Sequence, residues 1–123
     1  MVLIRNKTRS DILKIGYEKL ADFALGENYE LSLVFVGKKF IRNLNFKYRQ
    51  KDKATNILSF PLTKTEGEIF ICPLIAKAEA NKINETFQEY FKYLFIHGIT
   101  HLKGFDHGSK MEEEEERIRK NFS

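Results

Sequence analysis

Cysteine, proline and long apolar runs are all scarce in this chain. One cysteine among 123 residues, Cys72, can close no internal disulfide; it suits a reducing compartment and reads as a small buried hydrophobe. No apolar run approaches the roughly 20 residues of a membrane span. The opening Met-Val-Leu-Ile-Arg turns polar before it reaches signal-peptide length. The expectation is a soluble, cytoplasmic protein with no membrane partner. Two prolines and seven glycines against 42% apolar residues exclude the disordered and low-complexity classes. Aromatic residues are plentiful instead, and eleven Phe with five Tyr predict a core rich in rings. A chain of this length closes one hydrophobic core and not two, so residues 1–123 are expected to form a single domain.

The formal net charge of +4 understates a stronger bias, because five acids are the consecutive Glu112 to Glu116. Residues 1–111 hold eighteen Lys and Arg against twelve Asp and Glu. That balance favours an anionic partner, with nucleic acid first.

Along the chain, residues 2–6 suit a short strand, and Thr8-Arg9-Ser10-Asp11 has the capping-box pattern that opens a helix running to about Leu25. Leu13, Tyr17, Leu20 and Ala24 share one face of that helix, and Gly26 stops it. The period changes to two over Glu30 to Val36, where Leu31, Leu33 and Phe35 face one side of a strand. Residues 38–48 return to helical spacing, with Phe40, Leu44 and Tyr48 four apart. Two β-type segments, Asn56 to Leu62 and Gly67 to Cys72, are joined by the polar Thr63-Lys64-Thr65-Glu66 as a hairpin or short connection. Pro73 suits the first turn of a helix reaching Lys82. Glu85 to Leu102 is the strongest helix, with Phe87, Phe91 and Phe95 in one stripe, Tyr90 and Leu94 in the next, and Gly104 ending it. Ser109-Lys110-Met111-Glu112 is a second capping box, opening a last helix with Glu113 and Arg117, and Glu116 and Lys120, four apart. Strands mixed with helices in this order predict an α+β domain: about four strands in a mixed sheet, covered by about five helices.

All three histidines fall in His97-Gly98-Ile99-Thr100-His101-Leu102-Lys103-Gly104-Phe105-Asp106-His107. His97 and His101, four apart on the long penultimate helix, project from one face at a separation that lets two imidazoles share a metal. Gly104 permits the positive-φ turn that would bring His107 back as a third ligand. A single His-x-x-x-His pair would be read first as ordinary surface or core residues. Three in this arrangement reverse that reading, and zinc is the expected ion, one per chain. Three neutral imidazoles leave a fourth position open and keep the full double charge, which is the arrangement of a catalytic site. The spacing His-x3-His-x2-Gly-x2-His is also that of metzincin proteases, whose general-base Glu follows the first histidine. Gly98 stands there, so peptide hydrolysis by that route lacks its proton acceptor. Asp106 is a candidate for orienting a histidine or for acting as the base, or is simply a solvated turn residue.

Together with its neighbours the cluster resembles the end signature of the YbeY family of bacterial endoribonucleases, also described as rRNA maturation factors. His97, Gly98, His101, Leu102, Gly104, Asp106 and His107 match it, while Thr100 and Phe105 depart. A second family signature is met by Tyr48, Arg49, Lys51, Asp52, Thr55, Leu58, Ser59, Phe60 and Pro61; Ala54, Asn56 and Ile57 differ, and Asn56 replaces an aspartate. Gly67-Glu68-Ile69 follows as a Gly-acid-Ile strand. The resemblance spans most of the chain. It implies a zinc-dependent ribonuclease directed at single strands, acting in 16S rRNA 3′-end maturation and ribosome quality control, with the small subunit as partner. By position it makes His97, His101 and His107 the zinc ligands and Arg49 the cation at the RNA or its scissile phosphate.

Residues 38–53 support an RNA substrate independently, since Lys38, Lys39, Arg42, Lys47, Arg49, Lys51 and Lys53 face one acid, Asp52. Such a segment neutralises several phosphates with salt-dependent, sequence-tolerant affinity. Arg42, Lys47, Arg49 and Lys51 are the candidate RNA contacts; any single lysine equally suits a solvated face. Arg49 stands apart because a planar guanidinium grips two phosphate oxygens at once. The acids Glu112 to Glu116 most simply favour the N-terminus of their own helix. Catalysis is expected from Arg49 and Asp106 beside the ion. Two other readings stay open: a zinc hydrolase acting on a peptide or ester, and a non-catalytic ribosome-associated module in which zinc ties the C-terminal segments together.

Overall fold

The computed structural model describes residues 1–121. The elements run β1 (Val2–Asn6), α1 (Tyr17–Leu25), β2 (Glu30–Phe35), α2 (Lys38–Arg49), β3 (Ile57–Thr63), β4 (Glu66–Ile71), α3 (Pro73–Lys82), α4 (Phe87–Leu102) and α5 (Ser109–Asn121). The strands form one mixed sheet in the order β1-β2-β4-β3. β1 and β4 flank β2 in parallel, and β3 closes the edge antiparallel to β4. The chain adopts the α+β class read from its sequence, with four strands and five helices. Among the described residues, no helix is long and apolar enough to cross a membrane.

The alternation of β2 sets the layers. Leu31, Leu33 and Phe35 enter the larger core cluster with Leu20 of α1 and Phe91, Phe95 and Ile99 of α4. Val34 and the following Val36 face the other way and meet Ile41 of α2, Leu58 and the fully buried Cys72. The sheet therefore lies between α2 on one face and α1 with α4 on the other. Rings fill the larger core as the composition foretold: Tyr17 meets Phe95 edge-on at 5.1 Å between centroids, and Phe35 meets Phe91 at 5.4 Å. Full burial of a side chain such as Phe95 contributes about 1.5–3 kcal/mol, so α4 is anchored to the sheet by its Phe91/Phe95 stripe. The opposite edge of the same helix is left free to carry a site.

Four expectations are corrected. The first helix begins at Tyr17 instead of near Ser10. Asn6 Oδ1 accepts the Thr8 amide and Thr8 Oγ1 accepts the Ser10 amide, so the predicted capping box closes successive turns in a loop. Gly16, at φ 76°, then provides the left-handed residue from which the helix starts. In α2, Ile41 and Asn45 are buried, whereas Phe40 and Tyr48 of the predicted stripe stay largely exposed. Their rings cover the margin of the sheet, Phe40 beside Phe70 and Tyr48 beside Phe60. In α5, the Gly108 carbonyl accepts the Glu112 amide, one residue ahead of the predicted Ser109 cap. Arg117 pairs with Glu114, three residues away, in place of Glu113. The hairpin is as expected: the Thr63 hydroxyl accepts the Thr65 amide across the turn between β3 and β4.

Candidate metal centre and active-site cleft

α4 carries His97 and His101 on its free edge, one turn apart, with ring centroids 4.7 Å apart and planes at 88°. Gly104, at φ 97°, turns the chain after the helix and returns His107 to the pair, 5.4 Å from His97 and 4.9 Å from His101. One nitrogen from each ring lies within 4.8 Å of the others. The convergence expected from the spacing is thus present.

Hydrogen bonds decide which nitrogens converge. His97 Nδ1 lies 2.7 Å from Glu115 Oε2, and His101 Nδ1 lies 3.1 Å from the Phe105 carbonyl. Carboxylate and carbonyl oxygens only accept, so each Nδ1 is the donor and each Nε2 is the nitrogen left to face a shared ion. Burial lowers the pKa of His101, the neighbouring His97, His107 and Arg49 lower it further, and the Phe105 carbonyl pulls it partly back. The neutral imidazole is favoured, and that is the form a metal ligand requires. Three imidazole nitrogens on converging rings suit a divalent transition ion such as zinc.

The histidines line a cleft of about 760 Å³, which Arg49, Lys51 and Lys53 also line. Arg49 Nη2 donates to the Ser59 carbonyl at 3.1 Å, and its guanidinium lies over the Phe60 ring at 5.5 Å. Strand β3 thereby holds the last cation of α2 at the cleft. Among the sequence candidates for RNA contact, the structure brings Arg49 and Lys51 to the histidines but not Arg42 or Lys47. Arg42 is engaged in a two-pronged pair with Asp52, at 2.8 and 3.2 Å, and Lys47 lies over the Tyr48 ring on the exposed side of α2. Lys53, present in the basic segment but not singled out, does line the cleft. Asp106 is an exposed lining residue and makes no hydrogen bond to a histidine among the described residues. The hydrogen bonds to the histidine rings come instead from Glu115 and from the Phe105 backbone.

A family model described as Endoribonuclease YbeY matches residues 3–122. The chain belongs to the YbeY family. It is 38% identical over 128 residues to the Endoribonuclease YbeY of Aquifex aeolicus, which covers 96% of this chain and 84% of that protein. It is 35% identical over 117 residues to the Staphylococcus aureus protein of the same name, covering 80% of this chain and 76% of the relative. The solution structure of TM1509 from Thermotoga maritima aligns with a TM-score of 0.69 at 27% identity, over 96% of this chain and 86% of that one.

Gly98, where a metzincin would carry its Glu, lies against the sheet: a Cβ there would stand 2.8 Å from Ile57 Cδ1 and 3.1 Å from Ile69 Cδ1. Any side chain at this position would collide with the sheet, so the residue serves close packing of α4 on the sheet. The departures from the YbeY signatures have local explanations as well. Thr100 is fully buried and donates its hydroxyl to the Ile96 carbonyl at 2.7 Å, satisfying itself within α4. Phe105 reaches His101 through its backbone carbonyl, which any residue supplies. Asn56 donates to Glu79 Oε1 at 2.9 Å, and the Tyr90 hydroxyl donates to the same oxygen at 3.0 Å. An aspartate at 56 would set two carboxylates against each other, so the amide is matched to Glu79. Burial and the Glu79 hydrogen bond push Tyr90 up to about 12, keeping it a donor.

Proposed function

We propose that this chain is a zinc-dependent endoribonuclease directed at single strands, acting in 16S rRNA 3′-end maturation and ribosome quality control in the cytoplasm. The observation that carries this reading is the cleft itself: three imidazole nitrogens within 4.8 Å of one another share it with Arg49, Lys51 and Lys53. His97, His101 and His107 would hold one zinc ion per chain. When bound, the ion supplies a concentrated positive charge that polarises a phosphoryl group or a water molecule. Arg49, preset by the Ser59 carbonyl and the Phe60 ring, stabilises the charge that accumulates on the phosphate in the transition state. Lys51 and Lys53 bind flanking phosphates. Asp106, exposed in the cleft with its carboxylate free of the histidines, accepts the proton of the attacking group. Arg42 and Lys47, outside the cleft, contribute only general attraction for the strand.

The test combines metal analysis of the purified protein with cleavage of a ribosomal RNA 3′ fragment, using a peptide substrate as control. The wild type should carry one zinc and cleave only the RNA. His101→Ala and chelation should each lower cleavage at least about a hundredfold with the fold kept. Full cleavage by a normally folded His101→Ala variant would overturn the mechanism. Unfolding on chelation would instead mark the ion as structural.

A further inference from the structure

Helix α5 contributes a carboxylate that the function above does not use. Glu115 lies eighteen residues beyond His97, yet its Oε2 stands 2.7 Å from His97 Nδ1. The two side chains are 14% and 20% exposed, so the contact is shielded from most competing water. The flanking residues fix the register that brings it there. Met111 and Ile118 are buried, and Glu114 pairs with both Lys103 at the end of α4 and Arg117. His97 is further braced by Tyr93, whose ring stacks on it at 6.0 Å with planes 29° apart.

We infer that Glu115 is a positioning residue for the cation site, holding the His97 ring and its Nδ1–H tautomer so that Nε2 meets His101 and His107. The three histidines are then unequal. His97 is oriented by a carboxylate from another helix and His101 by a backbone carbonyl four residues on, while exposed His107 makes no hydrogen bond among the described residues. A carboxylate that orients a metal-binding imidazole in this way typically tightens metal binding by about ten- to a hundredfold. The inference rests on the reading of the histidines as a metal site.

Glu115→Gln and Glu115→Ala in the full chain test it. Zinc affinity is measured by competition with a chromogenic chelator, the ring tautomers of the metal-free protein by long-range ¹⁵N NMR, and the fold by thermal melting. The Ala variant should bind zinc about a hundredfold more weakly and show a mixed His97 tautomer, with His101 still protonated on Nδ1. Glu115→Gln, which keeps an acceptor oxygen in place, should retain the tautomer and lose about tenfold. A folded Ala variant with zinc affinity within twofold of wild type, or with an undisturbed His97 tautomer, overturns the inference. If the Ala variant does not fold, unchanged zinc affinity in Glu115→Gln overturns it alone. Failure of the wild type to bind zinc would sink the metal-site reading itself, a different result from wild type and variant binding equally well.

Discussion

The contact between α4 and the sheet at Gly98 sets where the histidines stand relative to Arg49, and it can be tested by adding and removing single methyl groups. Gly98→Ala places a Cβ 2.8 Å from Ile57 Cδ1, 3.1 Å from Ile69 Cδ1 and 3.2 Å from Ser59 Oγ. Replacing a mid-helix glycine by alanine gains about 1 kcal/mol in propensity. Overpacking costs about 1–3 kcal/mol, and Ile69 is fully buried with nowhere to retreat. The net expectation is a loss on the order of 1 kcal/mol. Ile57→Val deletes the closest atom and alone costs about 1 kcal/mol. In the double variant the new methyl occupies the space the deleted one leaves, so it should be more stable than the sum of singles by about 1 kcal/mol. Urea unfolding with an unchanged m-value is the assay. RNA cleavage should follow the same pattern, because Ser59 supplies the carbonyl that holds Arg49 and Gly98 adjoins His97. Additivity within about 0.3 kcal/mol would refute the claim that this packing controls the spacing.

Glu114 is held down to about 2, chiefly by its hydrogen bond to Arg117 and also by Lys103, against the opposing effect of burial. A depressed folded-state value gives stability that is full above the ordinary pKa of 4.5 and lost as pH falls through about 2. Unfolding measured across that window should show a loss on the order of 2 kcal/mol, allowing for the exposure of Arg117 to solvent; a Glu114→Gln variant with the same acid profile would contradict this. Asn56→Asp should lower stability by about 1 kcal/mol at neutral pH, and adding Glu79→Gln should restore it; equal melting of the wild type and the single variant would show that the match to Glu79 carries no weight. Arg49→Lys should reduce cleavage about tenfold and Arg49→Ala about a hundredfold at unchanged zinc content; wild-type rates in the Ala variant would remove Arg49 from the mechanism.

The elements were legible wherever one period dominated. β2, α3 and the body of α4 fall where alternation, a first-turn proline and the Phe91/Phe95 stripe place them. The errors arise where a local pattern has two outlets. The Thr8 hydroxyl can cap a helix or close a turn, as the Asn6 side chain does before it, and the left-handed Gly16 downstream decides for the turn. Phe40, Leu44 and Tyr48 and the pair Ile41 and Asn45 are equally spaced on α2. Hydrophobicity favours the aromatic set, yet the smaller pair is what fits beneath the helix on a sheet already occupied by Phe60 and Phe70. Side-chain size against the opposing layer is not a property of either segment alone.

The same distinction separates the two parts of the site. His97 and His101 are placed by helical pitch and His107 by one left-handed glycine, so a stretch of eleven residues carries the whole convergence. What tunes those rings arrives from elsewhere: Glu115 from α5, and Arg49 from α2 through a carbonyl of β3. Glu115 sits within a run of five identical residues, and nothing in the run marks one as different; the choice is made by helix phase, with buried Met111 four residues before it and buried Ile118 three after. Arg42 shows the converse. It has the charge and spacing of an RNA contact, but Asp52, ten residues on, takes its guanidinium. A motif therefore reports the convergence of candidate ligands when its parts are contiguous. Which charges serve that geometry follows only once the helices and strands around it are packed.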